Sequence, residues 1–497
     1  MTRQTRDFRP VLRPVGAVMM GLSLAIVACA AVGAIWDSAA PDPTRPTGGI
    51  QELLVSAAIA FAFGIVVFRT GPHISEGRFL RRHAVLAVAL IWFVASVIGA
   101  LPFVLAAHLS PVDALFESVS GLTTTGATVI TDIETRLSRP ILLWRSLIQW
   151  LGGMGIVVLF VAVFPNVGAG GKHMFRGEVP GTTAEGLKPR IAETSFSLWR
   201  LYAVFTLAET VILSLLGMDP FEALCHAFTT LSTGGFSTRD ASVGAFDSAS
   251  IDYVIATFMF IGAGNYGLYY MALRRRSWRT IVRSLEFRTF VGISAFSVLA
   301  LTITNVKLHD KNLIDSFRYA YFMVGTIISS TGYGNQDYSL FQPAAMAIVL
   351  ILMFIGGCSG STAGGIKVER IIVLAKQSTA QIRKNIRPTS VQLVRVGRSI
   401  VNSEVLADVG AFFTVFMGSV AAGVFLVSLV DGVPVPTSFG AVLSCLSNMG
   451  PAPFYQGADN FADYTAFSKI VFVNAMLLGR LEFFTLLALL LPGFWKR

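Results

Sequence analysis

Hydrophobic stretches long enough to cross a membrane alternate with much shorter ones, and the alternation is regular from about residue 84 onward. Apolar runs at about 11–36 and 52–68 are followed by others near 84–107, 140–164, 194–217, 251–273, 287–305, 343–375, 403–430 and 464–491. Each comes close to the roughly 20 residues that a spanning helix needs. Between successive pairs of these lie short runs: Val112 to Glu117, Pro220 to Leu224, Leu313 to Phe317 and Pro436 to Phe439. They are too short to span and predict half-helices that enter the bilayer and turn back. Each leads into a glycine-bearing polar stretch: TTTGAT from Thr123, LSTGGFS from Leu231, SSTGYGNQD from Ser329 and LSNMGP from Leu446.

Backbone carbonyls at membrane depth are tolerated only where they are buried in protein, line a cavity or meet an ion, and these stretches suit that use. Thr331-Gly332-Tyr333-Gly334 resembles the TVGYG filter of potassium channels. Aligning Gly126, Gly234, Gly332 and Gly450 gives separations of 108, 98 and 118 residues, a repeat far longer than solenoid units. The expected fold class is an all-α polytopic membrane protein with four pseudo-symmetric repeats around one ion pore, plus two extra N-terminal spans. The N-terminal pair occupies residues 1–70, and the repeats occupy 71–165, 190–274, 285–376 and 400–497. Each repeat reads span, half-helix, glycine loop, span.

Composition supports this class. A chain of 497 residues with 54% hydrophobic and 14% charged residues is too apolar for a soluble protein of its size. The formal charge of +10 reflects basic loops rather than nucleic-acid binding. Cys29, Cys225, Cys358 and Cys445 stand singly in apolar segments and suggest neither a metal site nor a disulfide framework. Arg3, Arg6, Arg9 and Arg13 precede the first apolar run as in a signal sequence, but without a convincing cleavage site it reads as a retained helix.

The basic residues set the orientation. Lys172, Arg176, Lys188 and Arg190 follow the first repeat, and Arg274, Arg275, Arg276, Arg279, Arg283 and Arg288 follow the second. Lys367, Arg370, Lys376, Arg383, Lys384, Arg387, Arg395 and Arg398 follow the third, and Lys496 and Arg497 end the chain. Those connections are expected to be cytoplasmic, and the glycine loops to lie toward the outside. Each half-helix then points its partly negative C-terminal end at the membrane centre, which favours a cation.

Longer motifs carry a resemblance. FESVSGLTTTGAT (116–128), WRSLIQWLGGMGIVVL (144–159), RIAETSFSLW (190–199), FTTLSTGGFSTRDAS (228–242), FIGGCSGSTAGGIKVERI (354–371) and LLGRLEFFTLLALLLPGFWKR (477–497) resemble, in that order, the Trk-type potassium uptake family. Within the Trk/Ktr/HKT superfamily the chain is most similar to the TrkH/TrkG branch. The resemblance implies potassium uptake across the bacterial cytoplasmic membrane, a homodimer, and a cytoplasmic nucleotide-binding regulatory ring of the RCK/KTN type. K+ is the transported ion, and no cofactor in this chain and no enzymatic activity are implied.

Carried over residue by residue, the filter is Thr124, Thr125 and Gly126; Ser232, Thr233 and Gly234; Ser330, Thr331 and Gly332; and Asn448, Met449 and Gly450, after Ser447. The fourth loop departs from the family, which usually continues GPGLG where this chain has Gly450-Pro451-Ala452-Pro453-Phe454. Glycine in all four positions is the family's potassium-favouring pattern. Glu117 and Glu222, just before their loops, are expected to brace them.

Two further features follow. A GGCSGSTAGG run cannot hold a straight helix in lipid, since each Gly costs about 1 kcal/mol relative to Ala. The resemblance makes Gly356, Gly357, Ser359, Gly360, Ser361, Thr362, Gly364 and Gly365 an intramembrane gate below the filter; close packing of small residues is the alternative. Arg480, ionisable within an apolar span, is expected to be functional. The family reading turns it to the pore against that gate, and a buried ion pair with Glu482 or Glu209 is the alternative. The Arg370 to Arg398 stretch is either a docking surface for the ring or a solvated charge run. A proton- or sodium-coupled alternating-access symporter is the competing function. No HExxH, paired aspartates or nucleophile elbow appears in any span, which argues against a membrane enzyme.

Overall fold

Small residues decide how the N-terminal helices meet. A computed structural model describes residues 8–39, 45–72, 80–155, 191–309, 312–336, 341–389, 393–397, 399–454 and 460–496. In it α1 (Leu12–Ala39) and α2 (Ile50–Thr70) cross so closely that a Cβ built on Gly16 would lie 2.7 Å from the Gly64 carbonyl oxygen. Backbone approach of this kind is how helices associate where lipid offers no hydrophobic drive. The opposite side of α1 packs on α3 (Arg81–Leu105) and α5 (Arg139–Gly153), with Gly33 against Pro140.

The short helices are α4 (Pro111–Leu122), α7 (Pro220–Leu231), α11 (Leu313–Ile328) and α15 (Val435–Leu446). Their starts are punctuated. Ser110, Asp219 and Asn312 accept hydrogen bonds from first-turn amides of α4, α7 and α11, and α15 starts after Pro434. Proline near the N-terminus of α4, α7 and α15 occupies a turn whose N–H groups have no helical partner.

Other helices form the surround: α6 (Ile191–Leu215), α8 (Ala249–Gly262), α9 (Tyr266–Arg274), α10 (Leu285–His309), α12 (Pro343–Phe354), α13 (Val368–Ile386), α14 (Ser403–Asp431), α16 (Ala466–Arg480) and α17 (Phe484–Leu490). Among the described residues six helices are long and apolar enough to cross a membrane, or seven if the bent pair α16–α17 is one crossing. The chain is thus a polytopic, mainly helical membrane protein. A two-residue antiparallel ribbon, Arg395–Val396 with Ser399–Ile400, is the one sheet among the described residues.

Three runs expected as continuous spans leave the helix part-way: the run at 140–164 stops at Gly153, with Gly155 at φ 71°, and two others break within the described residues. The run at 251–273 stops at Gly262 and restarts at Tyr266, where the Asn265 side chain caps α9 by accepting from the Leu268 amide at 3.1 Å. The freed Ala263 carbonyl accepts from the Cys358 amide at 2.8 Å, and the Gly262 carbonyl from Thr362 Oγ1 at 3.0 Å, so protein replaces the lost helical bonds. The run at 464–491 bends by 117° between α16 and α17, where Glu482 and Phe483 adopt positive φ. Residues 156–164 of the 140–164 run lie outside the described residues, as do Arg3, Arg6, Lys172, Arg176, Lys188, Arg190, Arg398 and Arg497.

Candidate functional site: four loops and an intramembrane hairpin

The four glycine loops share one backbone. Thr123, Ser232, Ser329 and Ser447 cap their helices, each amide donating to the carbonyl four residues back. The next residues, Thr124, Thr233, Ser330 and Asn448, donate three residues back and take φ of 55, 58, 57 and 52°. Thr125, Gly234, Thr331 and Met449 follow, donating five residues back to Ser120, Thr229, Thr326 and Ser444 at 2.8–3.0 Å. Gly126, Gly235, Gly332 and Gly450 come last, with φ of 79, 77, 84 and 91°.

Those last four glycines close a ring. A Cβ on Gly126 would collide with the Gly234 carbonyl, one on Gly235 with that of Thr331, and one on Gly332 with that of Met449. One on Gly450 would lie 2.8 Å from the Thr125 carbonyl oxygen. Each loop therefore abuts the next in chain order, and the fourth returns to the first. Two constraints act on each glycine: a left-handed backbone that L side chains rarely adopt, and a neighbour's carbonyl where a side chain would stand.

This geometry shifts the register in the second loop by one residue. Alignment on the first glycine pairs Gly234 with Gly126, whereas the backbone pairs Gly235 with it and makes Ser232 the helix cap. A cavity of about 520 Å³ above the ring is lined by Gly126, Gly235, Gly332 and Gly450, with Gly234 absent from its wall. The repeat GG offered two candidates, and only the hydrogen-bond pattern distinguishes them. The other expected residues, Thr124, Thr125, Gly126, Ser330, Thr331, Gly332, Asn448, Met449 and Gly450, occupy matching positions in their loops.

Beneath the ring, residues 355–367 leave the helix between α12 and α13 as a hairpin. Its neck is tied by Gly356 N–H to Ile366 C=O at 3.0 Å and Ile366 N–H to Phe354 C=O at 3.1 Å. Gly356 packs against the Gly364 backbone and Gly357 against the Ala263 carbonyl; Gly360 and Gly365 have φ of 71 and 68°. Its tip meets three of the four loop structures: the Gly364 amide donates to Ser330 Oγ at 2.7 Å, Thr362 Oγ1 to the Leu231 carbonyl at 3.0 Å, and Gly364 abuts the Ser447 carbonyl. Ser359 Oγ donates to Glu369 at 2.8 Å, Ser361 Oγ to the Cys358 carbonyl at 2.6 Å, and Lys367 Nζ to the Ala363 carbonyl.

Arg480, at the end of α16, connects the remaining parts. Its Nη1 donates to Thr124 Oγ1 at 3.2 Å and to the Thr362 carbonyl at 2.9 Å, and its Nη2 to the carbonyls of Gly152 and Gly153 at 2.6 and 2.9 Å. One guanidinium thus joins the first loop, the hairpin tip and the end of α5. Glu482, a possible partner on sequence grounds, is paired with Arg370 at 2.6 Å.

A family model described as a cation transport protein, TrkH, matches residues 56–492. The chain belongs to the TrkH family. It is 36% identical to the Trk system potassium uptake protein TrkH of Halomonas elongata over 99% of this chain and all of that one. Identity to the Escherichia coli K12 protein of the same name is 38%, over 88% of this chain and 91% of the relative. The crystal structure of the potassium transporter TrkH from Vibrio parahaemolyticus superposes with a TM-score of 0.87 at 33% identity, covering 99% of this chain and all of that one. As a member of the family with at least six spanning helices, the chain is a multi-pass protein of the bacterial inner membrane.

Several braces around the ring of this TrkH-family chain were not evident from sequence. Gln149, buried in α5, donates to the Gly234 carbonyl at 2.8 Å and accepts from the Phe236 amide at 3.1 Å. Asn448 donates to Thr125 Oγ1 at 3.0 Å and to the Met476 carbonyl at 2.9 Å, tying the fourth loop to the first. Tyr333 lies fully buried, its hydroxyl against Thr229 Oγ1 and the His226 carbonyl, so the third loop leans on the second short helix. His226 is a packed polar side chain bridging the Glu222 carbonyl and Ser237 Oγ. The glutamates do brace: Glu117 accepts from Arg145 at 2.7 Å and from Thr128 Oγ1 and the Val129 amide, while Glu222 pairs with Arg239 at 2.8 Å and Arg45 at 3.2 Å. Arg145 also stacks 3.7 Å from the Phe236 ring centroid. Its sequence signal was visible: a lone Arg in an apolar run twenty-eight positions after a lone Glu.

Proposed function

We propose that this chain takes potassium into the cell through one pore whose four glycine loops form the selectivity filter. The observation that carries the reading is the closed ring in which each left-handed glycine abuts the carbonyl of the next loop. Four short helices deliver their C-terminal, partly negative ends to that ring. Carbonyls of Thr125, Gly234, Thr331 and Met449, with those beside them, would replace the hydration shell of a dehydrated cation. Relatives named as potassium uptake proteins identify the cation class. The ring's rigidity comes from Gln149, Asn448 and the buried Glu117–Arg145 pair, which hold the loops from behind without entering the path.

The hairpin at 356–365 is the gate in this reading. It lies against the lower side of three loop structures and is held by Arg480, so withdrawing it requires breaking a small, defined set of bonds. A cytoplasmic nucleotide-binding ring would act on it through α13, which leaves the hairpin directly and ends in the exposed Arg383, Lys384 and Arg387. The four repeats and a homodimer of such pores complete the proposal. The test is flux of potassium and sodium into liposomes holding the purified chain, under an imposed potential and without a pH gradient. Potassium flux well above sodium supports the pore; flux that requires a proton gradient refutes it in favour of coupled symport.

A further inference from the structure

An apolar groove of about 840 Å³ runs along α10 between α8, α9 and α11, away from the pore. Its volume is within the roughly 300–1,000 Å³ typical of ligand sites. Phe287, Val291, Ala295, Val298 and Thr302 line it on one face of α10, with Tyr253, Phe260 and Tyr321 opposite. From Phe287 to Thr302 that face is about 22 Å long at 1.5 Å per residue. This exceeds one leaflet, about half of a ~30 Å hydrocarbon core. Two of the three tyrosine hydroxyls at its wall are already engaged: Tyr321 meets Thr257 Oγ1 at 3.2 Å, and Tyr269 donates to the Ile261 carbonyl at 3.2 Å. The groove therefore accepts a hydrocarbon chain and offers a polar ligand little.

One end of the groove is strongly charged. Arg288 extends the stripe of Val291, Ala295 and Leu299 by one turn, and the connection from α9 to α10 adds Arg274, Arg275, Arg276, Arg279 and Arg283. All six are exposed, and none makes an ion pair or side-chain hydrogen bond among the described residues. Trp278, 71% exposed in the same connection, suits the headgroup level, where Trp is enriched. We propose that this groove and its arginine cluster form a binding site for an anionic phospholipid of the inner leaflet, the acyl chain in the groove and the phosphate at Arg283 and Arg288. Charge complementarity chooses the occupant. A second copy docking on this patch about a two-fold axis would bring a second cluster of six exposed arginines into the one interface, adding like charge where an anionic headgroup offsets it.

The test is native mass spectrometry of the full delipidated chain titrated with phosphatidylglycerol or phosphatidylcholine of the same acyl composition. Phosphatidylglycerol is expected to bind about thirtyfold more tightly, at roughly 1 kcal/mol for each of the two phosphate-facing cations, and R283Q/R288Q to bring the two lipids to within about twofold. Ala295→Trp, which fills the exposed groove wall, is expected to abolish the tight site for both lipids. The control pair R383Q/K384Q, on α13, leaves binding unchanged. Equal affinity for the two lipids, or a preference unmoved by R283Q/R288Q, overturns the proposal. So does an Ala295→Trp variant that changes the monomer–dimer ratio while lipid binding stays intact, since the groove would then hold a second copy.

Discussion

Gly234 and Gly235 are adjacent, yet the ring assigns them different constraints, and substituting each by alanine separates the two. At Gly235 the backbone is left-handed, φ 77°, and a methyl group would collide with the Thr331 backbone carbonyl. The left-handed conformation alone costs an L-residue about 1–2 kcal/mol. Relief requires moving the junction of the second and third loops, and with it one quarter of the ring. Gly234 has no such φ, and the nearest atoms its methyl group would meet are those of the Gln149 side-chain amide, Cδ, Oε1 and Nε2 at 2.4, 2.5 and 2.8 Å. That obstacle is a side chain and can be removed. If Gly235→Ala shifts the potassium–sodium balance by the strain it carries, the permeability ratio falls about tenfold, since 1.4 kcal/mol is a factor of ten. Gly234→Ala is expected to do less, and Gln149→Ala to restore part of its loss while leaving Gly235→Ala unrelieved. The assay is the reversal potential of the reconstituted chain in mixed potassium and sodium. Equal effects of the two alanines, or rescue of Gly235→Ala by Gln149→Ala, would refute the register and the ring.

Four further outcomes are expected. Deleting Cys358 to Gly364 removes the hairpin tip while keeping its neck, and should raise potassium flux in the absence of any cytoplasmic partner; unchanged flux would exclude gating by this segment. Arg145→Met strands the Glu117 carboxylate in a fully buried site and should destabilise the fold by about 3–5 kcal/mol, measured by denaturant unfolding in detergent, with the double variant E117Q/R145M recovering part of it. Asn448→Ala removes the donor joining the fourth loop to Thr125 and should cost about 1–3 kcal/mol, with sodium permeation rising in the same preparation. Met449→Thr, by contrast, should hold the permeability ratio within about twofold, because the carbonyl rather than the side chain serves the ring; a larger change would make the side chain part of the filter.

The apolar runs made the six long helices legible, and the short runs leading into glycine made α4, α7, α11 and α15 legible as helices, because apolar run length carries over into helix length. The breaks at Gly264 and Glu482 were not. In each case a neighbouring segment supplies the hydrogen bonds that make the break tolerable: Cys358 and Thr362 at the first, Arg370 holding the Glu482 carboxylate at the second. A reading by local hydropathy has no access to partners about 100 residues away. The same limit hid Gln149, whose role depends on facing Gly234 across eighty-five positions. Arg480 was conspicuous as a charge in an apolar run, but its four acceptors, three of them backbone carbonyls, carry no sequence signature.

The divergence of the fourth loop becomes intelligible once the ring is described by backbone rather than by side chain. Two threonines, a glycine and a methionine hold this position at Thr125, Thr331, Gly234 and Met449, yet their amides donate to the same position of the preceding helix. Asn448 stands where the other loops carry a hydroxyl, Thr124, Thr233 or Ser330, and adopts the same left-handed φ, which asparagine tolerates better than most residues. Its longer amide then reaches Thr125 Oγ1 of the first loop, whereas the hydroxyl pairs Thr123–Thr125 and Ser329–Thr331 stay within one loop and join the residues on either side of that position. With Met449 in the place of Thr125 and Thr331, the fourth loop has no such hydroxyl pair and carries a tie to its neighbour instead. Because the ring is closed, a tie at the fourth–first junction holds the residue whose carbonyl Gly450 abuts, so the least conventional loop is anchored where it meets its neighbour.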